Sequence, residues 1–277
     1  KRISHHNFLY FSILKYTKMR NSSVKNSILS WIMRKRIHQI ELFIKYPHNV
    51  QKEVFSNLIK QGKETMFGKE HFFNSIQSYS DFVKQVPIRT YEDLFPYINQ
   101  TRKGEENVLW PSKVSWFAKS SGTTNAQSKY IPVSKESLEE CYFKGGKDML
   151  SFYCNNFPDT NIFDGKGLML GGSLQKNEMY DFTEGDISAI LINNFPFWVN
   201  MHRTPDLETA LLDDWEEKLK RIVNQGINSN VTSLTGLPSW MLVLLNKILE
   251  KTGAKDITEI WPNLELYMHG GINFSPY

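Results

Sequence analysis

Between Trp116 and Val133 two short apolar runs enclose a loop of hydroxyls and small residues, Ser120-Ser-Gly-Thr-Thr124-Asn-Ala-Gln-Ser128, which ends at Lys129. Residues 114 to 118 and 129 to 133 read as strands on either side of it. A loop of this composition suits an anion. Small residues let successive backbone N–H groups converge, and Gly122 can take a positive φ. The hydroxyls of Ser120, Ser121, Thr123 and Thr124 add donors, and Lys129 adds charge. From composition alone a Ser/Thr-rich surface hairpin is the competing reading. A nucleoside-triphosphatase loop is excluded, because no second glycine precedes Lys129 and a strand follows where that motif needs a helix.

The rest of the chain alternates helical and extended patterns. Ser23 to about Lys45 repeats apolar residues every three or four positions, predicting an amphipathic helix, and Pro47 opens a second that runs to about Gln61. These form an N-terminal helical pair. Ser80 and Thr90 read as N-caps of helices at about 80 to 85 and 91 to 99, with Asp93 in the third position of the latter. Ser134 caps a helix through Glu139, Cys141 and Met149 that is loosened at Gly145-Gly146. Gly167 to Gly171 and Ile187 to Ile192 read as strands, and Pro205 to Val223 as one long helix. Val231 to Thr235 is a further strand. Pro238 then starts a helix to about Glu250, closed by Thr252-Gly253, and a strand from Leu264 to Met268 stops at His269-Gly270-Gly271. Such alternation predicts an α/β fold with parallel strand pairs, a mixed sheet with flanking helices. Ligands of such sheets collect at strand ends, where Gly122 and Gly270 would lie.

Composition narrows the function classes. With 277 residues, 40% hydrophobic and 13% aromatic, the chain can bury a substantial core. Net charge is +4 overall, yet residues 1 to 69 hold +11 and the remainder −7. The basic residues around Arg34-Lys-Arg36 fall in a helical pattern with Ile28, Ile32, Ile40 and Phe43, so they read as a solvated helix face and not as a nucleic-acid or membrane surface. Cys141 and Cys154, the only cysteines, lack metal-ligand or C-x-x-C spacing; unpaired thiols in a reducing cytoplasm fit. The histidines are scattered and give no metal site. Gly171-Gly172-Ser173 does not extend to a G-x-S-x-G nucleophile elbow, since Gln175 takes the last position. Phe8 to Leu14 is too short to span a bilayer and lacks an A-x-A cleavage site. No internal repeat or domain-separating linker is present.

Ser-Ser-Gly-Thr-Thr followed by Lys129 resembles the ATP-phosphate loop of acyl-adenylate-forming enzymes, the firefly-luciferase-like superfamily. Its continuation Lys129-Tyr-Ile-Pro-Val-Ser134 is similar, more narrowly, to the auxin-responsive-promoter family of acyl-acid amido synthetases. So are Val86-Pro-Ile-Arg-Thr-Tyr-Glu-Asp-Leu94, Leu234-Thr-Gly-Leu-Pro-Ser-Trp240 and Trp261-Pro-Asn-Leu-Glu265, in the same chain order. The resemblance runs from about Asn21 to the last residue, which implies that residues 1 to about 20 are an extension. Asn125 and Ala126 replace the family's Gly-Gly pair, which predicts a less open cradle.

The resemblance implies the front part of a large N-terminal adenylate-forming domain, helical over 21–100 and α/β over 101–277. It implies a ligase that uses ATP and Mg²⁺ to activate a carboxylic acid as an acyl adenylate and then passes the acyl group to an amine or amino acid. Lys129 is then the catalytic cation. Ser120, Ser121, Gly122, Thr123 and Thr124 would bind phosphates, and Gly270 and Gly271 would lie against the base. No metal ligand falls within the chain. Leu237, Pro238 and Trp240 read as acyl pocket, with Phe197 and Trp198 as further candidates; core packing of Trp240 against Leu242 and Leu245 is the alternative. The family's Mg²⁺-associated glutamate and ribose-binding aspartate belong to motifs beyond Tyr277, so the chain reads as part of a longer enzyme. A non-catalytic nucleotide- or acyl-binding protein of the same fold and an acyl-coenzyme A ligase are the other readings.

Overall fold

A computed structural model describes residues 11–13, 23–120 and 128–270. Nine strands form in it: β1 (Phe11–Ile13), β2 (Trp116–Ser120), β3 (Lys129–Val133), β4 (Lys166–Met169), β5 (Leu174–Asn177), β6 (Phe182–Gly185), β7 (Arg203–Thr204), β8 (Val231–Thr235) and β9 (Leu266–Met268). They belong to two compact bodies, one of residues 1–34, 150–173 and 191–277, the other of residues 35–149 and 174–190.

The first body is built on a five-stranded sheet in the order β1-β9-β8-β4-β7. β9, β8, β4 and β7 run parallel, and β1 joins antiparallel at the edge through Phe11 opposite Met268. Helices Trp215–Ile227 and Pro238–Thr252 pack on it through Leu219, Ile222, Val223, Met241, Leu244 and Ile248. Trp261, fully buried among them, donates its indole N–H to Gly226 O at 2.9 Å. Pro238 occupies the first turn, where its missing N–H costs nothing, and Gly253 closes the helix at φ 71°.

The second body carries a four-stranded sheet in the order β3-β2-β6-β5. β2 pairs antiparallel with β3 and parallel with β6, and β5 and β6 form a hairpin. Phe117 and Phe182 from adjacent strands meet edge-on at 5.0 Å and pack against Ile98 of helix Tyr91–Arg102.

Several expected elements take a different form. Ile187–Asn193 is a helix and not a strand; an apolar run of this length has no period that separates the two, and Asp186 O accepts the N–H groups of Ala189 and Ile190. The helix expected over Pro205 to Val223 is two, Leu207–Leu211 and Trp215–Ile227. Asp206 and Asp214 each accept a backbone N–H as N-caps, at 2.8 and 2.7 Å, so the second aspartate starts a new helix where an uninterrupted one was expected. The first amphipathic segment divides at Arg36 into Val24–Lys35 and Ile37–Lys45. Ser78, not Ser80, caps helix Tyr79–Gln85, because only Ser78 has an acid three residues on: Asp81 returns a hydrogen bond to the Ser78 N–H at 3.0 Å. Gly145-Gly146 lie in regular helix, and the loosened turn is the π-helical Leu138–Phe143. Glycine lowers helix propensity without forbidding helical φ and ψ. Thr90 caps Tyr91–Arg102 as expected, with Asp93 closing the reciprocal bond at 2.8 Å. Among the described residues no helix is long and apolar enough to cross a membrane.

Candidate functional site

In the second body the antiparallel register sets Ser120 opposite Lys129 and Lys119 opposite Tyr130. Ser120 and Lys129 therefore form the base of the hydroxyl-rich loop, while Ser121, Gly122, Thr123 and Thr124 lie outside the described residues. Helix Tyr91–Arg102 holds the β3 stem directly and reaches the β2 stem through Glu184. At its first turn the Tyr91 hydroxyl accepts the Tyr130 N–H at 2.9 Å, a donor on the strand at the edge of the described sheet. The Lys129 ammonium sits 4.9 Å over the Tyr91 ring and 3.4 Å from a Glu92 carboxylate oxygen. At the last turn Arg102 lies 3.7 Å over the Tyr130 ring and bonds Glu184 of β6 at 3.2 Å. Glu184 also receives Lys119 at 2.8 Å.

The two charge clusters differ in exposure. Glu184 is 12% exposed between its two cations, so that cluster is structural. Lys129 and Glu92 are 44% and 72% exposed, so this pair separates readily; exposed ion pairs contribute about 0 to 1 kcal/mol. The Glu92 carboxyl is held below its usual range first by its own backbone N–H in the helix's opening turn, and then by Lys129.

In the first body the carboxyl ends of the parallel strands gather the other candidates. Gly236 N–H donates to Met268 O at 3.2 Å, Leu170 N–H to Thr235 O at 2.9 Å, and Tyr267 OH to Gly236 O at 3.1 Å. A Cβ on Gly236 would stand 3.2 Å from both Cβ and O of Leu170, so a side chain there would crowd these strand ends. His269 follows β9, buried beside the Tyr267 ring at 5.0 Å, and burial lowers its pKa. Gly270 is the last described residue, and Gly271 lies outside the described residues.

Leu237 and Pro238 form the turn from β8 into its helix, Leu237 half exposed and Pro238 buried. Trp240 is 48% exposed and packs edge-on against Trp215 at 4.6 Å. Its ring partner is thus Trp215 from the neighbouring helix, and Leu242 is itself 54% exposed. Phe197 and Trp198 are exposed on helix Phe197–Met201, 79% and 45%.

Lys218 was not anticipated. It is 2% exposed, and its ammonium donates to Gly171 O at 3.1 Å and Gly172 O at 2.6 Å, holding the turn that follows β4. Its signal was positional: three residues after Trp215 and four before Ile222, it falls on the apolar stripe of its helix. Tyr91, Glu92, Arg102 and Glu184 also escaped the sequence, since they approach the loop from distant positions. Among the described residues no group of three His, Cys, Asp or Glu is placed to hold a metal.

A sequence profile described as the GH3 family N-terminal domain matches residues 36–277. The chain is 27% identical over 107 residues to the indole-3-acetic acid-amido synthetase GH3.5 of Arabidopsis thaliana, covering 38% of this chain and 18% of that protein. It is 25% identical over 163 residues to the jasmonoyl-L-amino acid synthetase JAR4 of Nicotiana attenuata, covering 58% and 28%. A solved GH3.15 acyl acid amido synthetase superposes with a TM-score of 0.59 at 18% identity, over 86% of this chain and 40% of that one, a likeness of fold. The match thus spans under a third of these curated relatives and under half of that structure.

Proposed function

This chain belongs to the GH3 family, and on that premise we propose that it supplies the phosphate loop and part of the acyl pocket of an ATP-dependent acyl-acid amido synthetase. A substrate carboxylate oxygen attacks the α-phosphorus of ATP; the new O–P bond forms as the bond to the β-phosphate bridging oxygen breaks, giving an acyl adenylate and pyrophosphate. An amine nitrogen then attacks the acyl carbon, AMP leaves, and the nitrogen loses a proton to give the amide.

The observation that carries this reading is the loop base. Lys129 is the register partner of Ser120 across the ladder, and its strand β3 is tied to helix Tyr91–Arg102. Charge grows on the leaving phosphates in the first step, and a cation and hydroxyl donors at the loop would stabilise it electrostatically. The hydroxyls of Ser120, Ser121, Thr123 and Thr124 orient phosphate oxygens, and Gly270 and Gly271 offer backbone against the base. Leu237, Pro238 and Trp240 line an acyl site at the carboxyl ends of the parallel strands, the usual location for ligands in such sheets. The named relatives act on indole-3-acetic acid and jasmonate, so the acid expected here is small and largely apolar, and the acceptor an amino acid. For Mg²⁺ the described residues provide no carboxylate cluster, so a magnesium ion would have to be held by the ATP phosphates, whose charge it would help to neutralise.

The test is Lys129→Ala in the full-length protein. Carboxylate-dependent exchange of pyrophosphate into ATP should fall about 100- to 1000-fold, the loss typical of a preorganised donor. Exchange at the wild-type rate would remove Lys129 from the phosphate site.

A further inference from the structure

We propose that Glu92 is a positioning residue for the phosphate loop: it holds the Lys129 ammonium over the Tyr91 ring, and nucleotide phosphate must draw the ammonium away. The inference rests on the reading of Lys129 as a phosphate ligand. Three contacts define the bay. The Glu92 carboxylate lies 3.4 Å from Lys129 Nζ, the Tyr91 ring faces the same ammonium at 4.9 Å, and the Tyr91 hydroxyl is fixed by the Tyr130 N–H at 2.9 Å. The ring therefore cannot follow the lysine when it moves. Glu92 in turn sits in a helix start locked by the Thr90–Asp93 reciprocal cap.

Solvent exposure makes the bay a holding position and not a structural anchor. The pair is separated at small cost, whereas Lys119 and Arg102 on the less exposed Glu184 are not. A polyphosphate carries several charges against the single charge of Glu92 and outcompetes it at short range. The holding contact then appears as a reduction of ATP affinity, because every binding event must first break it.

The experiment is a double-mutant cycle on ATP affinity, measured by calorimetry at low salt in the full-length protein. Glu92→Gln keeps the side-chain shape at an exposed site and should tighten ATP binding about two- to fivefold, the range open to an exposed ion pair. Lys129→Ala should weaken binding, and Glu92→Gln added to it should change nothing more, since no ammonium remains to hold. Equal tightening in both backgrounds would show that Glu92 merely repels the phosphates, and the proposal would fall. It would also fall if Glu92→Gln left affinity unchanged while Lys129→Ala weakened it; the phosphate role of Lys129 would then stand alone. Lys129→Ala binding ATP like the wild type would overturn both.

Discussion

Replacing Trp240 with alanine separates a ligand wall from a core residue. Complete burial of a tryptophan removes about 150–250 Å² from water, but Trp240 keeps 48% of its surface exposed. Roughly 100 Å² is therefore buried, and at about 25 cal/mol per Å² this gives an upper figure of about 2.5 kcal/mol. The alanine methyl recovers part of that, and the edge-on contact with Trp215 contributes about 0.5 to 1.5 kcal/mol. The expected destabilisation is about 2 kcal/mol, below the roughly 3 to 5 kcal/mol for truncating a fully buried ring. For a chain of this size that is a drop in Tm of roughly 4–8 °C. Pyrophosphate exchange across a panel of aliphatic and aromatic acids should change its order of preference, with the ATP KM little altered. A Tm loss twice as large, with the acid profile unchanged, would show that the ring serves packing alone and would refute the acyl-wall argument.

Two further residues, half-buried Glu265 and buried Cys154, give testable outcomes. Glu265 accepts the Thr160 hydroxyl at 2.5 Å, the Tyr153 hydroxyl at 3.2 Å and the Asn161 N–H at 3.0 Å, so Glu265→Leu strands three donors and should cost about 3–5 kcal/mol by urea denaturation. Glu265→Gln retains an oxygen acceptor and should lose less than half as much. Cys154 is fully buried, and burial, the largest influence, pushes its thiol up to about 11 from 9.0. Iodoacetamide at pH 8 should therefore label exposed Cys141 and spare Cys154 until the protein unfolds. Because the unfolded thiol loses its proton first, this group's contribution to stability should fall as pH rises from about 9 to 11, and a Cys154→Ser variant should lack that slope.

What was legible in the sequence was local. β8 begins and ends at Val231 and Thr235 as expected, since β-branched residues run between a helix end and a Gly-Leu-Pro turn. Gly253 and Thr90 close and open their helices because the chemistry of a cap is written within four residues. Ile187–Asn193 failed because burial on several sides erases periodicity. The hairpin β5–β6 was missed although Asn177 Oδ1 accepts the N–H groups of Met179 and Tyr180, at 3.1 and 3.2 Å, because one asparagine is a weak sign of a turn. The loop base was visible as Ser120 and Lys129, yet the residues that hold it were not. Glu184 is 65 positions beyond Lys119, and Tyr91 is 39 before Tyr130; only folding brings them together.

Helix Tyr91–Arg102 grips the Lys129 foot of the loop from outside the loop itself and reaches the other foot through Glu184 and Lys119. A span whose footings are set elsewhere need not encode its own closure, because the entropy of bringing its ends together has already been met by the hairpin and the helix. Asn125 and Ala126, standing where relatives are expected to carry glycines, are the kind of change such an arrangement tolerates. If the proposed phosphate role is right, exchanges between Ser121 and Ser128 should change ATP affinity while leaving the melting temperature of the surrounding sheet nearly constant.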